Sequence, residues 1–156
     1  MITIGIIGNG FVGQATSLFA VKNRIELLIY DIVPEKCVPL GLTISDMVKQ
    51  SQLIFICVPT PTNQKGECDT TIVISCINQL QILMDPIEES ERPFIVVRST
   101  VPVGFCEQYR VNHMPEFLTE ANWRSDFKEC ELWVLGVADT LYYRQFELLM
   151  EQLLSY

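Results

Sequence analysis

The sequence predicts an α/β fold with one doubly wound parallel sheet covered by helices on both faces. Short apolar segments alternate with amphipathic ones along the 156 residues. Several apolar segments are continuous, as expected of strands buried on both faces of a parallel sheet. No repeat or long linker interrupts the order, so we expect a single domain over residues 1–156. This alternation is typical of the Rossmann fold.

We predict six strands and the helices that connect them. The predicted strands are Ile2–Ile7, Ile25–Tyr30, Leu53–Val58, Phe94–Val97, a short stretch near Val111–Met114, and Leu132–Val137. The predicted helices are Phe11–Lys22, Ile44–Lys49, one that Asp69 or Thr70 caps and that carries Ile72 to Leu80, Val103–Arg110, and Leu141–Leu154. Proline, glycine and polar residues mark 59–66 as a loop.

Composition excludes several classes of function. The formal net charge of -8 disfavours nucleic acid and anionic membranes as partners. No apolar run reaches the roughly 18–20 residues needed to cross a bilayer, and no signal peptide is recognisable. The six cysteines include no Cys-x-x-Cys pair and there is one histidine, His113. We therefore expect reduced thiols, no metal site and a cytoplasmic location.

A glycine motif follows the first predicted strand. Gly8-Asn9-Gly10-Phe11-Val12-Gly13 opens the first helix, and Asp31 ends the next strand 18 residues after Gly13. Gly8 permits the tight turn, Gly10 lets a pyrophosphate approach the backbone, and Gly13 lets helix and strand pack closely. The Asp31 carboxylate accepts hydrogen bonds from ribose hydroxyls and repels a 2′-phosphate. The motif therefore predicts a dinucleotide site that prefers NAD to NADP.

Three further segments resemble the UDP-glucose/GDP-mannose 6-dehydrogenase family. They are Val58-Pro59-Thr60-Pro61, Arg98-Ser99-Thr100-Val101-Pro102-Val103-Gly104, and Pro115-Glu116-Phe117-Leu118-Thr119-Glu120. The resemblance implies that Val58, Pro59, Thr60, Ser99 and Thr100 bind NAD together with Gly8, Gly10, Phe11, Val12, Gly13 and Asp31. It also implies catalytic roles for Thr100, Glu116 and Glu120. In that family an aldehyde held on a cysteine is oxidised to a thioester, and two NAD molecules are reduced.

The sequence also departs from the family pattern. None of the six cysteines lies in a segment like that of the family's nucleophile. Met114 replaces the usual asparagine, and Glu129-Cys130-Glu131 replaces a Pro-Asp/Ser-Arg segment. We expect the family's connector helix and C-terminal sugar-binding domain to be absent. The chain would then be a cofactor domain that is incomplete as a catalyst, and whether it is an enzyme by itself stays open.

Other functions remain open at this point. The chain could be a stand-alone NAD-binding protein that regulates or sequesters, or a degenerate remnant without activity. The β-hydroxyacid dehydrogenase group opens with a similar glycine turn but does not explain the Pro115–Glu120 segment. A nucleotide sugar is expected as a ligand only together with a second chain.

The last predicted helix carries more apolar residues than one sheet contact needs. Tyr142, Phe146, Leu149, Met150 and Leu153 form one stripe, and Leu141, Leu148 and Leu154 widen it. A helix that packs on one sheet buries a stripe about 100° wide. The excess predicts a homo-oligomer or a partner subunit that covers this surface.

Overall fold

The structure, a computed structural model, describes residues 2–22, 25–138 and 140–154. The described residues form a five-stranded parallel sheet in the order β2-β1-β3-β4-β5. The strands are β1 Ile2–Ile7, β2 Ile25–Tyr30, β3 Leu53–Ile56, β4 Phe94–Val97 and β5 Asn112–His113. Because β2 and β3 flank β1 on opposite sides, a crevice opens beyond the carboxyl ends of β1 and β3. The predicted doubly wound topology is confirmed.

The two central strands are buried because helices cover both of their faces. Ile4 and Ile6 of β1 and Leu53 and Phe55 of β3 have no exposed surface. Ile6 lies beside Phe55 in the parallel register. Continuous apolar sequence is what such strands require, since neither set of alternating side chains faces water.

The helices are divided between the two faces of the sheet. Their bounds are α1 Phe11–Ser17, α2 Phe19–Lys22, α3 Ile44–Gln50, α4 Thr71–Met84, α5 Phe105–Tyr109, α6 Trp123–Lys128 and α7 Tyr143–Leu154. Apolar residues of α3, α4 and α5 pack in one core cluster. Those of α1, α2, α6 and α7 pack in a second cluster on the opposite face. No helix in the described ranges is long and apolar enough to cross a membrane.

The prediction of a sixth strand at Leu132–Val137 is wrong. Only Gly136 pairs in this segment, through an antiparallel bridge in which it exchanges backbone hydrogen bonds of 2.7 and 2.8 Å with His113. The reason is side-chain packing, because the ring of Trp133 lies 5.3 Å from that of Phe19 and 5.2 Å from that of Phe127. The apolar residues thus cover one face of the sheet as irregular chain.

Several element ends also differ from the prediction. The first helix is interrupted at Leu18 and continues as the single turn α2. β3 ends at Ile56 instead of Val58, and α5 begins at Phe105, after Pro102 and Gly104. Thr70 occupies the position before α4, but the side chain that accepts a backbone N–H there is Asp69, from Thr71 at 2.9 Å. These differences move element ends by one or two residues, and the helix α6, Trp123–Lys128, has no counterpart among the predicted helices.

Candidate functional site

A cavity of about 450 Å³ opens at the crevice beyond the carboxyl ends of β1 and β3. It is lined by residues from the loops after β1, β2, β3, β4 and β5. They are Gly8, Gly10, Phe11, Val12, Asp31, Ile32, Val33, Lys36, Cys57, Val58, Pro59, Thr60, Arg98, Ser99, Thr100 and Glu116. Of the predicted site residues, Gly13 and Glu120 do not line it.

Gly8 and Gly13 are required by packing within the glycine turn. Gly8 has a φ of 98°, and a Cβ there would lie 2.6 Å from the carbonyl oxygen of Cys57. A Cβ on Gly13 would lie 1.9 Å from the carbonyl oxygen of Gly8. Since real Cβ atoms do not approach backbone oxygen so closely, both positions need glycine. Gly13 therefore acts by holding α1 close to β1 rather than by facing the cavity.

Gly10 differs from these two glycines because it lies against open space. It has a φ of -83°, which any residue can adopt, and a Cβ there would meet no atom of the described residues within 4 Å. Gly10 also lines the cavity. The absence of a side chain at Gly10 therefore serves the cavity and not the fold, as a site for close approach by a phosphate group requires.

Asp31 lies at one end of the cavity, where β2 ends. Its Oδ2 accepts the backbone N–H of Asn9 at 2.7 Å, and its Oδ1 accepts that of Val33 at 2.9 Å. Each carboxylate oxygen has a second lone pair, so the group can still accept hydrogen bonds from a ligand. Asp31 both orders the turn and faces the cavity.

Lys36 lines the same end of the cavity, and sequence reasoning missed it. The side-chain amide of Asn9 donates to its carbonyl oxygen at 2.8 Å, which holds the loop after β2 against the glycine turn. The available signal was a cation five residues after Asp31 in the same short loop. This end of the cavity is therefore lined by one acidic and one basic residue.

The other end of the cavity carries Ser99, Thr100 and Glu116. The buried Ser99 hydroxyl donates to the carbonyl oxygen of Val58 at 2.7 Å and so joins the loops after β3 and β4. Thr100 is exposed, and Glu116 is partly buried with its Oε2 accepting the N–H of Leu118 at 2.9 Å. Glu120 is exposed and lies outside the cavity lining. The structure thus brings Thr100 and Glu116 together and leaves Glu120 apart.

Arg98 is a second residue of this end to which sequence reasoning gave no role. It is 1% exposed, and none of the described residues accepts a hydrogen bond from its three side-chain nitrogens. Its guanidinium carbon lies 5.8 Å from the centre of the Trp133 ring. Burial lowers the pKa of Arg98, while Cys57 and Glu116 act in the opposite direction. The floor of the cavity therefore contains a buried cation.

Cys57 is the cysteine that lines the cavity. Burial raises the pKa of its thiol to about 11, although the Arg98 cation and Thr16 act in the opposite direction. Its Sγ lies 3.7 Å from the Thr16 hydroxyl. At neutral pH the group is a thiol rather than a thiolate, and only a thiolate is an effective nucleophile.

The sequence profile described as "UDP-glucose/GDP-mannose dehydrogenase family, NAD binding domain" matches residues 40–154. The chain belongs to this family. The domain therefore binds NAD, and the cavity has the features that this cofactor needs. The matched range begins after Asp31, so the glycine motif and Asp31 support the assignment independently of it.

The chain is also similar to a relative in sequence and to two solved structures in fold. UDP-glucose 6-dehydrogenase of Rickettsia bellii is 29% identical over 104 residues, which cover 60% of this chain and 23% of the relative. In fold the chain is similar to GDP-mannose dehydrogenase of Pseudomonas aeruginosa (TM-score 0.76, 24% identity) and to UDP-glucose dehydrogenase of Pyrobaculum islandicum (TM-score 0.74, 19% identity). These matches cover 96% and 98% of the chain but only 43% and 44% of those proteins. The NAD-binding domain thus spans less than half of each of them.

Proposed function

We propose that this domain is the cofactor half of a nucleotide-sugar 6-dehydrogenase, with the nicotinamide ring at the Thr100–Glu116 end of the cavity. A single observation carries the proposal: Asp31, Gly10, Thr100 and Glu116 line one cavity although they lie after four different strands. Asp31 follows β2 and Thr100 follows β4, with β1 and β3 between them. Three strand spacings of about 4.8 Å separate these ends by about 14 Å, which suits an extended dinucleotide.

The two ends of the cavity favour one orientation of the cofactor. Asp31 can accept hydrogen bonds from the ribose hydroxyls of the adenosine half, as in other dinucleotide sites. A hydroxyl and a carboxylate at the opposite end, Thr100 and Glu116, are groups that can orient a reacting carbonyl and a water. When bound, NAD supplies hydride acceptance, and these two residues would hold the substrate groups beside it.

We expect sugar oxidation to need protein outside these 156 residues. Trapping an aldehyde requires a thiolate, and burial raises the thiol pKa of both Cys57 and Cys106 to about 11. Cys57 is also only 7% exposed, which restricts access to its sulfur. The thiol and the surface that binds the sugar nucleotide would come from another segment or another chain.

Calorimetric titration of the purified domain tests both parts of the proposal. NAD and NADH should bind and NADP should bind more weakly, whereas UDP-glucose should give no heat of binding to the domain alone. With NAD and either UDP-glucose or GDP-mannose, the domain should produce no steady NADH absorbance. Steady NADH production would contradict the expectation that sugar oxidation needs protein outside these residues. The candidate nucleophile would then be Cys68, whose Sγ lies 3.5 Å from the carbonyl oxygen of Thr100. The Cys68→Ser variant would then decide whether that thiol had been recruited.

A further inference from the structure

Arg98 lies at the cavity, but its side-chain nitrogens are shielded from direct contact with a ligand. The residue lines the cavity, yet its Nε, Nη1 and Nη2 atoms are all buried. An arginine side chain remains protonated under ordinary conditions. In a poorly solvated site its field reaches further than it does in water, because less water is present to screen it.

The groups around Arg98 provide little negative charge to balance it. Its electrostatic partners among the described residues are Cys57, Glu116, Cys130 and His113. Cys57 is a neutral thiol, and burial followed by the Arg98 cation lowers the pKa of His113, so its imidazole is neutral at pH 7. The Cys130 thiol donates to the carbonyl oxygen of Leu132 at 3.2 Å. Glu116 is the carboxylate of this set, and the N–H of Leu118 already occupies one of its oxygens.

We infer that Arg98 makes this cavity select the reduced cofactor, NADH, over NAD⁺. The inference rests on the proposed placement of the nicotinamide ring beside Thr100 and Glu116. The oxidised ring carries a formal positive charge and the reduced ring carries none. The pyrophosphate and adenosine are the same in both forms, so the contacts of Gly10, Asp31 and Lys36 cancel in the comparison. What remains is repulsion between the buried guanidinium and the oxidised ring.

The expected size of this preference follows from Coulomb's law. Two unit charges about 10 Å apart in a medium of effective dielectric constant about 20 repel strongly enough to change a dissociation constant roughly tenfold. Glu116 reduces this repulsion without removing it, because its carboxylate is partly exposed and water screens it more strongly than it screens the buried guanidinium.

Calorimetric titration with NAD⁺ and with NADH tests the inference in the wild type and in three variants. The wild-type domain should bind NADH about tenfold more tightly than NAD⁺. Arg98→Met and Arg98→Gln remove the charge in side chains that still fill space, and both should bring the ratio of the two dissociation constants close to one. Arg98→Lys keeps a cation and should keep a preference for NADH. Two neutral variants are included because one of them can fail to fold.

The outcomes that overturn the inference are distinct from failure of the proposed function. Equal or tighter binding of NAD⁺ by the wild type would overturn it without any variant. An unchanged ratio in a folded Arg98→Met or Arg98→Gln domain would also overturn it, since Arg98 would then be structural. If the wild type bound neither NAD⁺ nor NADH, the proposed placement of the cofactor would be wrong. The inference about Arg98 would then be wrong as well, because it rests on that placement.

Discussion

The backbone N–H of Asn9 donates a 2.7 Å hydrogen bond to Oδ2 of Asp31, which lies 22 residues away in the chain. This bond joins the glycine turn after β1 to the end of β2. The other oxygen of the same carboxylate accepts the N–H of Val33, at the start of the loop that continues to Lys36. One side chain therefore both orders the turn and faces the cavity.

Replacing Asp31 should change the preference between NAD and NADP. The wild type should bind NAD more tightly because the carboxylate repels a 2′-phosphate. Asp31→Ser should bring NADP affinity up at least about tenfold, since the repulsion is lost and the Lys36 cation still lines the same end of the cavity. Calorimetric titration with both cofactors measures this change. The double variant Asp31→Ser/Lys36→Gln is the control and should lose part of the gain. NADP binding by the wild type as tight as NAD binding would contradict the assignment of Asp31.

Gly10→Val should weaken NAD binding without weakening the fold. The φ of -83° suits valine, and none of the described residues has an atom within 4 Å of the added Cβ, so the melting temperature should stay close to that of the wild type. The branched side chain would occupy the space that a pyrophosphate needs, and we expect at least a tenfold loss of affinity. Titration calorimetry and thermal unfolding are measured on the same sample. Full NAD affinity in this variant would show that the glycine turn is not the cofactor site.

Gly13→Ala should destabilise the fold, in contrast to Gly10→Val, which should weaken NAD binding and leave stability unchanged. The added Cβ would lie 1.9 Å from the Gly8 carbonyl oxygen, and backbone cannot move aside as cheaply as a flexible side chain. We expect the free energy of unfolding to fall by about 2–4 kcal/mol, as measured by urea denaturation. Gly10→Ala is the matched control, because the same methyl group there meets nothing. Equal stability of the two variants would contradict the packing role of Gly13.

Cys57 should resist alkylation in the folded domain at neutral pH. With a pKa of about 11, only about one thiol in ten thousand is ionised at pH 7, and burial also blocks access. The thiolate fraction increases as the pH rises towards the pKa, so labelling should become appreciable only in strongly alkaline solution. Peptide mapping after iodoacetamide treatment detects it, with the urea-unfolded chain as the fully reactive control. Rapid labelling of Cys57 in the folded protein at pH 7 would refute the account of its environment.

The structure narrows the surface for the predicted self-association through α7. Phe146, Met150 and Leu153 are buried and are not available to a partner, whereas Leu149 and Leu154 are partly buried beside them. Leu148 is 43% exposed, and we expect Leu148→Lys to weaken any oligomer in sedimentation at micromolar concentration. Ile82→Lys is the matched control, because Ile82 is 73% exposed on α4, at the other face of the sheet. A wild-type domain that sediments as a monomer would remove this surface from consideration.

Local sequence determined most of the elements and the glycine turn, but it predicted neither α6 nor the irregular course of Leu132–Val137. β1 and β2 have the predicted bounds because their apolar runs are continuous and end at residues that suit turns. The roles of Gly8 and Gly13 follow from the spacing of the motif, since a strand that turns directly into a helix brings the two backbones together. Such features depend on residues that are near in sequence, so they can be recognised without knowledge of the rest of the chain.

Only the tertiary structure decided which residues share the cavity and what surrounds them. The end of Leu132–Val137 pairs with His113 by one bridge, because Trp133 packs against both Phe127 and Phe19, and Phe19 lies more than a hundred residues away in the sequence. The same packing brings the Trp133 ring to 5.8 Å from the Arg98 guanidinium carbon. Arg98 belongs to a recognisable turn, but its burial and its lack of a hydrogen-bond partner among the described residues depend on side chains brought together by the fold. Burial and charge balance are properties of a neighbourhood in space, and a sequence pattern specifies only the neighbours along the chain.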